Sequence, residues 1–131
     1  MDYDQFIASY ALILRQCVAM LRDNRFLCLV VADIRDRKGM LRDFVGDTID
    51  AVEAAGARLY NEAIIATPPG TAPVRAPRQF DVSRKLAKTH QNLLIFAKGD
   101  PKEAAGEIGD LRRFPIRTDI LRQRPATAIS P

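Results

Sequence analysis

An α/β fold is the class this sequence predicts, on three observations. Two apolar runs, "FLCLVVADI" (Phe26 to Ile34) and "NLLIFAK" (Asn92 to Lys98), are too continuous for an amphipathic surface element. Stripes of helical period alternate with such runs along the first half of the chain. The order strand, helix, strand between Phe26 and Thr67 reads as a βαβ unit, whose crossovers are right-handed in about 98% of cases.

The elements follow in order. Asp4 is a candidate N-cap for a helix whose apolar residues Phe6, Tyr10, Ile13, Leu14, Cys17, Met20 and Leu21 recur at spacings of three and four. "DNR" ends that stripe, and Phe26 to Ile34 has the composition of a strand covered on both faces, as parallel sheets have. "RDRKG" reads as the exit loop. Leu41, Val45, Thr48, Ile49, Val52 and Ala55 then form a second stripe, stopped by Gly56 where a helix prefers a C-terminal glycine. "ARLYNEAIIAT" is a second strand. The segment from Pro68 to Gln91 is proline-rich without a sustained period and reads as a long basic loop, of a length usually functional or disordered. Asn92 to Lys98 is the third strand. "DPKE" at Asp100 offers an N-cap, a first-turn proline and a Glu three residues on, so a short helix starts there. Residues 111–131 hold prolines, arginines and few core candidates, and read as an extended tail with mobile last residues.

Composition narrows the function classes. With 131 residues, 47% hydrophobic and 27% charged, one domain over residues 1–110 followed by that tail is the expectation. "MDYDQF" lacks a basic leader region and no apolar run approaches the roughly 20 residues a bilayer requires, which predicts a soluble cytoplasmic protein. Cys17 and Cys28 each lie in an apolar pattern and read as buried, reduced thiols. No Cys/His cluster suits zinc.

Charge is unevenly spread. Residues 1–67 carry 8 basic and 10 acidic side chains, residues 68–91 carry 5 and 1, and residues 92–131 carry 7 and 5. The middle segment's surplus equals the net charge of +4 of the whole chain. Such a patch favours polyanions, nucleic acid above all, whereas a solvated loop that only confers solubility is the alternative.

Three stretches carry a resemblance: "DNRFLCLVVADIRDRKG" (Asp23 to Gly39), "FVGDTIDAVEAAGARLYNEAIIAT" (Phe44 to Thr67) and "RQFDVSRKLAKTHQNLLIFAKGDPK" (Arg78 to Lys102). In this order they resemble the C-terminal half of the amino-methylating DNA methyltransferases that use S-adenosylmethionine and occur among phage and bacterial modification proteins. His90, Gln91, Phe96 and Lys98 match the entrance and end of that family's penultimate strand. The resemblance implies a partial Rossmann-like methyltransferase sheet of three strands, two parallel, with Asn92 to Lys98 inserted antiparallel between them. It also implies a substrate side at the entrance to that inserted strand.

The family's catalytic "DPPY"-type motif and its "FxGxG" cofactor loop are absent from these 131 residues. Pro68 and Pro69 in "TPPGT" lack the preceding Asp or Asn and the following aromatic residue, and no pair of glycines has phosphate-loop spacing after a strand. The resemblance therefore implies a methyltransferase-like fragment, inactive alone, with S-adenosylmethionine the cofactor of the full-length family and none held by this chain. The alternative is a non-enzymatic nucleic-acid- or protein-binding protein, of a kind a phage could encode, built on this half-fold.

Candidate nucleic-acid-binding residues are Arg75, Arg78, Arg84, Lys85 and Lys88, each able to neutralise a phosphate, and His90 at the strand entrance. A backbone-bonding role is the alternative for His90. Asp33, Asp36, Glu62 and Lys38 invite a nuclease-like metal reading, against which stands an ordinary solvated exit loop; Asp33 and Arg35 lie at the family's active-site rim by resemblance only. No catalytic triad is evident. If half the sheet is missing, Phe26 to Ile34 becomes an apolar edge strand, and either a second copy or the missing methyltransferase half is expected to pair with it.

Overall fold

In the computed structural model, which describes residues 2–66, 68 and 70–110, Asp2 rather than Asp4 opens the first helix, α1 (Tyr3–Met20). The Asp2 carboxylate accepts from the Gln5 amide and the Gln5 side chain accepts from the Asp2 amide, a reciprocal pair that satisfies two otherwise unpaired donors. Leu14 and Val18 are its buried residues. Ile13 and Met20, expected in the stripe, are exposed. The other five expected residues, Phe6, Tyr10, Leu14, Cys17 and Leu21, are buried or half-buried, and Val18 joins them.

β1 (Arg25–Val31) follows, then a two-residue hairpin of β2 (Ile34–Arg35) and β3 (Leu41–Arg42) where an exit loop and the start of the second helix were expected. Asp36 makes this hairpin: its carboxylate accepts from the Lys38 and Met40 amides, and Gly39 takes φ +88 in the turn. Leu41 is consequently an exposed strand residue, not part of a helical stripe. α2 (Phe44–Ala54) is capped by Asp43, and Gly56 ends it as expected. With φ +102, Gly56 donates to the Glu53 carbonyl while Ala57 donates to that of Val52, the paired bonds of a Schellman closure.

β4 (Arg58–Ala66) and β5 (His90–Lys98) complete a three-stranded sheet in the order β1-β5-β4. β5 lies in the middle, as expected for the inserted strand, and both of its ladders are antiparallel. The expected order, two strands flanking an inserted antiparallel one, is the order seen; β1 and β4 do not pair with each other, and every hydrogen-bonded strand pair among the described residues is antiparallel. A bulge between Leu59 and Asn61 interrupts the β4 ladder, and beside it Tyr60 stacks on Phe26 at 5.6 Å between ring centroids.

α1 and α2 cover one face of this sheet. Leu14 and Val18, Val52, Val31, and Leu94 and Phe96 of β5 form the core, with Leu27 and Leu29 packed on it. Phe96 and Leu94 are wholly buried, and each contributes about 1.5–3 kcal/mol on transfer from water. The alternate residues of β1 have no such cover: Cys28 is exposed and Val30 is 55% exposed. Two-face burial of this strand and burial of Cys28 are therefore overturned, while Cys17 is half-buried and both thiols are free. At the rim of the core the Tyr3 hydroxyl donates to Asp47 at 2.5 Å beneath the Arg42 guanidinium.

Residues 68–91 are not structureless throughout, since α3 (Ala72–Ser83) lies within them. It has Pro73 in its first turn, where an amide would be unpaired anyway, and Pro77 inside. No residue of α3 is buried, which is why no apolar period marks it in the sequence. α4 (Pro101–Ile108) starts at the expected cap, the Asp100 carboxylate accepting from the Lys102 amide at 2.7 Å. Glu107 ties α4 to Asn24 and Arg25 at the start of β1. The tail expected over 111–131 lies outside the described residues. Among the described residues no helix is long and apolar enough to cross a membrane.

Candidate nucleic-acid interface

The ladders of β5 begin at different points, and that offset opens a cleft. β5 pairs with β4 from His90 onward, Ala66 facing His90, whereas its pairing with β1 begins only at Asn92, opposite Val31. His90 and Gln91 thus run past the end of β1. Ala32, Asp33 and Arg35 form one wall of the space left there, Arg75, Ala76 and Gln79 of α3 another, and residues 86–88 the approach to β5. The cleft measures about 490 Å³.

Its rim is cationic. Arg35, Arg75 and Lys88 face a single carboxylate, Asp33. The Lys88 ammonium donates to Asp33 at 2.6 Å, both side chains about one-third exposed, and this bond ties the chain before β5 to the chain after β1. Arg35 donates to the Gly39 carbonyl at 2.8 Å and keeps further donors of its fork unused. The Arg75 guanidinium has neither a hydrogen bond nor an ion pair among the described residues. Guanidinium donors around an open polar cleft suit an anion that offers two oxygens side by side, as a carboxylate or a phosphate does.

Of the six candidate residues, the structure brings Arg75, Lys88 and His90 together in this cleft. Arg78 and Lys85 line an adjoining groove on α3, which Arg75 also borders. The Lys85 ammonium rests against the β2–β3 turn, close enough that a side chain at Gly39 would meet it at 3.2 Å. Arg84 stands apart: it ends α3 with φ +54, lies 5.2 Å over the Phe80 ring and is 4.0 Å from Asp81. Gln79 went unnoticed in the sequence. Once α3 is written as a helix, its four-residue spacing from Arg75 would have placed it on the same side.

The metal reading does not gather its ligands. Asp36 is occupied by the turn amides, Asp33 by Lys88, and Glu62 accepts from the Asn92 side-chain Nδ2 at 3.2 Å. Among the described residues no three His, Cys, Asp or Glu side chains are grouped as a metal site. Among the described residues, Gly39 turns the β2–β3 hairpin, Gly46 lies in α2, Gly56 closes α2, and Gly99, between β5 and α4, is packed against Asn24.

No protein-family model matches the chain, and no curated protein matches it. A solved structure does: a protein of Thermus thermophilus, provisionally named a DNA modification methylase, superposes with a TM-score of 0.59 at 16% sequence identity. The match covers 76% of this chain and 39% of that one. At that identity the likeness is one of fold, methyltransferase-like over the matched part.

Proposed function

We propose that this chain is a methyltransferase-like half-domain that presents a DNA-facing basic cleft and carries no methyl transfer by itself. The observation that carries the reading is the convergence of Arg75, Lys88 and Arg35 on one cleft beside His90, at the entrance of the central strand. Supporting it is the fold likeness to a protein named a DNA modification methylase. Phosphate oxygens are the natural partners of such donors, and base edges would then meet Gln79, His90 and Gln91. Lacking the family's cofactor loop and catalytic motif in its sequence, the chain supplies binding and orientation only. A cytoplasmic setting accords with this reading, and the free edge of β1 is where a second copy or the rest of a methyltransferase sheet would join.

Fluorescence anisotropy of a labelled duplex, titrated at several salt concentrations, tests the proposal. Each phosphate contact contributes about −0.9 to the slope of log K against log salt. The double variant Arg75→Ala, Lys88→Ala is expected to weaken binding and to flatten that slope by about 1.8. Unchanged affinity and slope would leave the cleft without a nucleic-acid role.

The second reading, a binding protein that owes only its shape to methyltransferases, is favoured by glycines that serve turns and packing. Calorimetry separates the two. Heat on titrating S-adenosylmethionine into the chain with DNA present supports participation in a methylase, and its absence there and with any copurifying subunit supports the binding protein.

A further inference from the structure

The two edges of the sheet are built differently. β4 carries Arg58, Asn61 and Glu62, and the bulge breaks its ladder, features that discourage a further strand. β1 has no bulge, and its one charge, Arg25, stands at its first residue. From Phe26 to Val31 it holds no charge, proline or bulge, it pairs with β5 over its whole length, and its outer edge meets no strand among the described residues. The open face beside that edge is apolar as well, with exposed Cys28 and Val30 next to half-buried Leu93 and Ile95 of β5. An unprotected edge adjoining an uncovered apolar face is what a strand-paired partner would cover.

We infer that the occupant is a second copy of this chain, joined β1 to β1 in antiparallel sense about a two-fold axis at Cys28. Cys28 is the midpoint of Arg25–Val31, so this register alone pairs every residue of the strand. Leu27 then faces Leu29 on the helical side, and Phe26 faces Val30 on the open side, so each residue keeps its own face. A slip of one residue would turn one copy's apolar set to the wrong side. A slip of two would leave strand ends unpaired. Arg25, the single charge of β1, falls opposite Val31 in this register, so the two cations lie at opposite ends, roughly 20 Å apart, and do not repel. Self-complementarity of this kind is the property an isologous interface requires and a foreign strand does not share. The assembly is a six-stranded sheet with both bulged strands outermost.

This pairing rests on the same free edge as the proposed function but makes no use of the cleft, so the two ideas can fail separately. Light scattering on the full chain at tens of micromolar should give twice the 14.6 kDa of one copy. In a Cys17→Ser variant, copper-phenanthroline oxidation should link Cys28 to Cys28 in a thiol-reversible dimer, because directly opposed Cβ atoms lie about 4.5–5.5 Å apart. Val30→Lys, at an exposed side chain, should yield monomers with unchanged circular dichroism and a lower melting temperature than the dimer, one that no longer depends on protein concentration. A monomeric wild type, whatever covers its edge, overturns the pairing, as does a dimer that withstands Val30→Lys and fails to cross-link. A dimer that ignores duplex DNA would instead sink only the reading of the cleft, and a monomer that binds DNA would sink only the dimer.

Discussion

The Lys98 ammonium donates to the carbonyl of Leu21 at 2.6 Å and to that of Val18 at 3.0 Å, so the last residue of the central strand closes the end of α1. These carbonyls belong to the helix terminus, where no intrahelical donor remains, and a cation there also meets the negative end of the helix dipole. The lysine of the Phe-x-Lys signature is thus a structural clasp in this chain. Lys98→Met should keep the side chain's packing and lose the bonds, destabilising the fold by about 1–3 kcal/mol in urea denaturation. A midpoint identical to wild type would mean that water serves those carbonyls equally well.

Gly99 follows directly and admits no side chain. Its φ of +86 is already unfavourable for other residues, and a Cβ would stand 2.5 Å from the Asn24 amide oxygen and 2.9 Å from the Asn24 nitrogen. The same Asn24 oxygen accepts from the Asp100 amide at 3.1 Å. Gly99→Ala should therefore cost about 1–3 kcal/mol and loosen α4, seen as faster amide exchange from residue 102 to 108. Gly56→Ala, with strained φ but open space, should cost less.

Tyr3 supplies a test in alkaline solution. Burial first, then its hydrogen bond to the Asp47 carboxylate, pushes the phenol up to about 12 from the usual 10.0. The folded state holds this proton more tightly than the unfolded chain does, so the stabilisation is complete below pH 10 and is lost as pH rises through 12. Tyr3→Phe should remove that part of the alkaline decline, and ultraviolet titration of the wild type should contain one late-titrating phenol that the variant lacks.

Asp33 restrains the cleft as much as Lys88 serves it. Since the two are bonded at 2.6 Å, an incoming phosphate must compete with a resident carboxylate for the ammonium. Asp33→Asn is expected to tighten duplex binding several-fold at low salt, by removing the competitor for Lys88, an advantage that shrinks as salt rises. Equal or weaker binding would show that Lys88 does not reach the ligand.

How much of this could be read beforehand depended on burial. Gly56, Asp100 and the strand Asn92 to Lys98 were legible because caps and apolar runs are local signals that the core then uses directly, whereas that strand's central position came from the family resemblance. Val18 was missed because Ile13 and Met20, equally apolar, fit the same helical spacing on a side that faces water. Cys28 and Val30 misled for the opposite reason: their apolar character implies a cover that the sheet's second face does not have within this chain. The walls of the cleft lay beyond reach, since α3 buries nothing and the offset between the two ladders of β5 has no signature in residue type. The charge surplus of residues 68–91, and the substrate side that the resemblance implied at the entrance of the inserted strand, pointed there, but neither could tell Arg75 and Lys88, which converge, from Arg84, which binds its own helix.

α3 owes its sequence to no core position, and that freedom has an evolutionary consequence. Replacements along its solvent face alter what the molecule meets without disturbing the packing of Phe96, Leu94 and Val52. If α3 recognises a ligand as proposed, its preference is free to change without cost to folding, so that recognition and foldability are separable properties of one short chain.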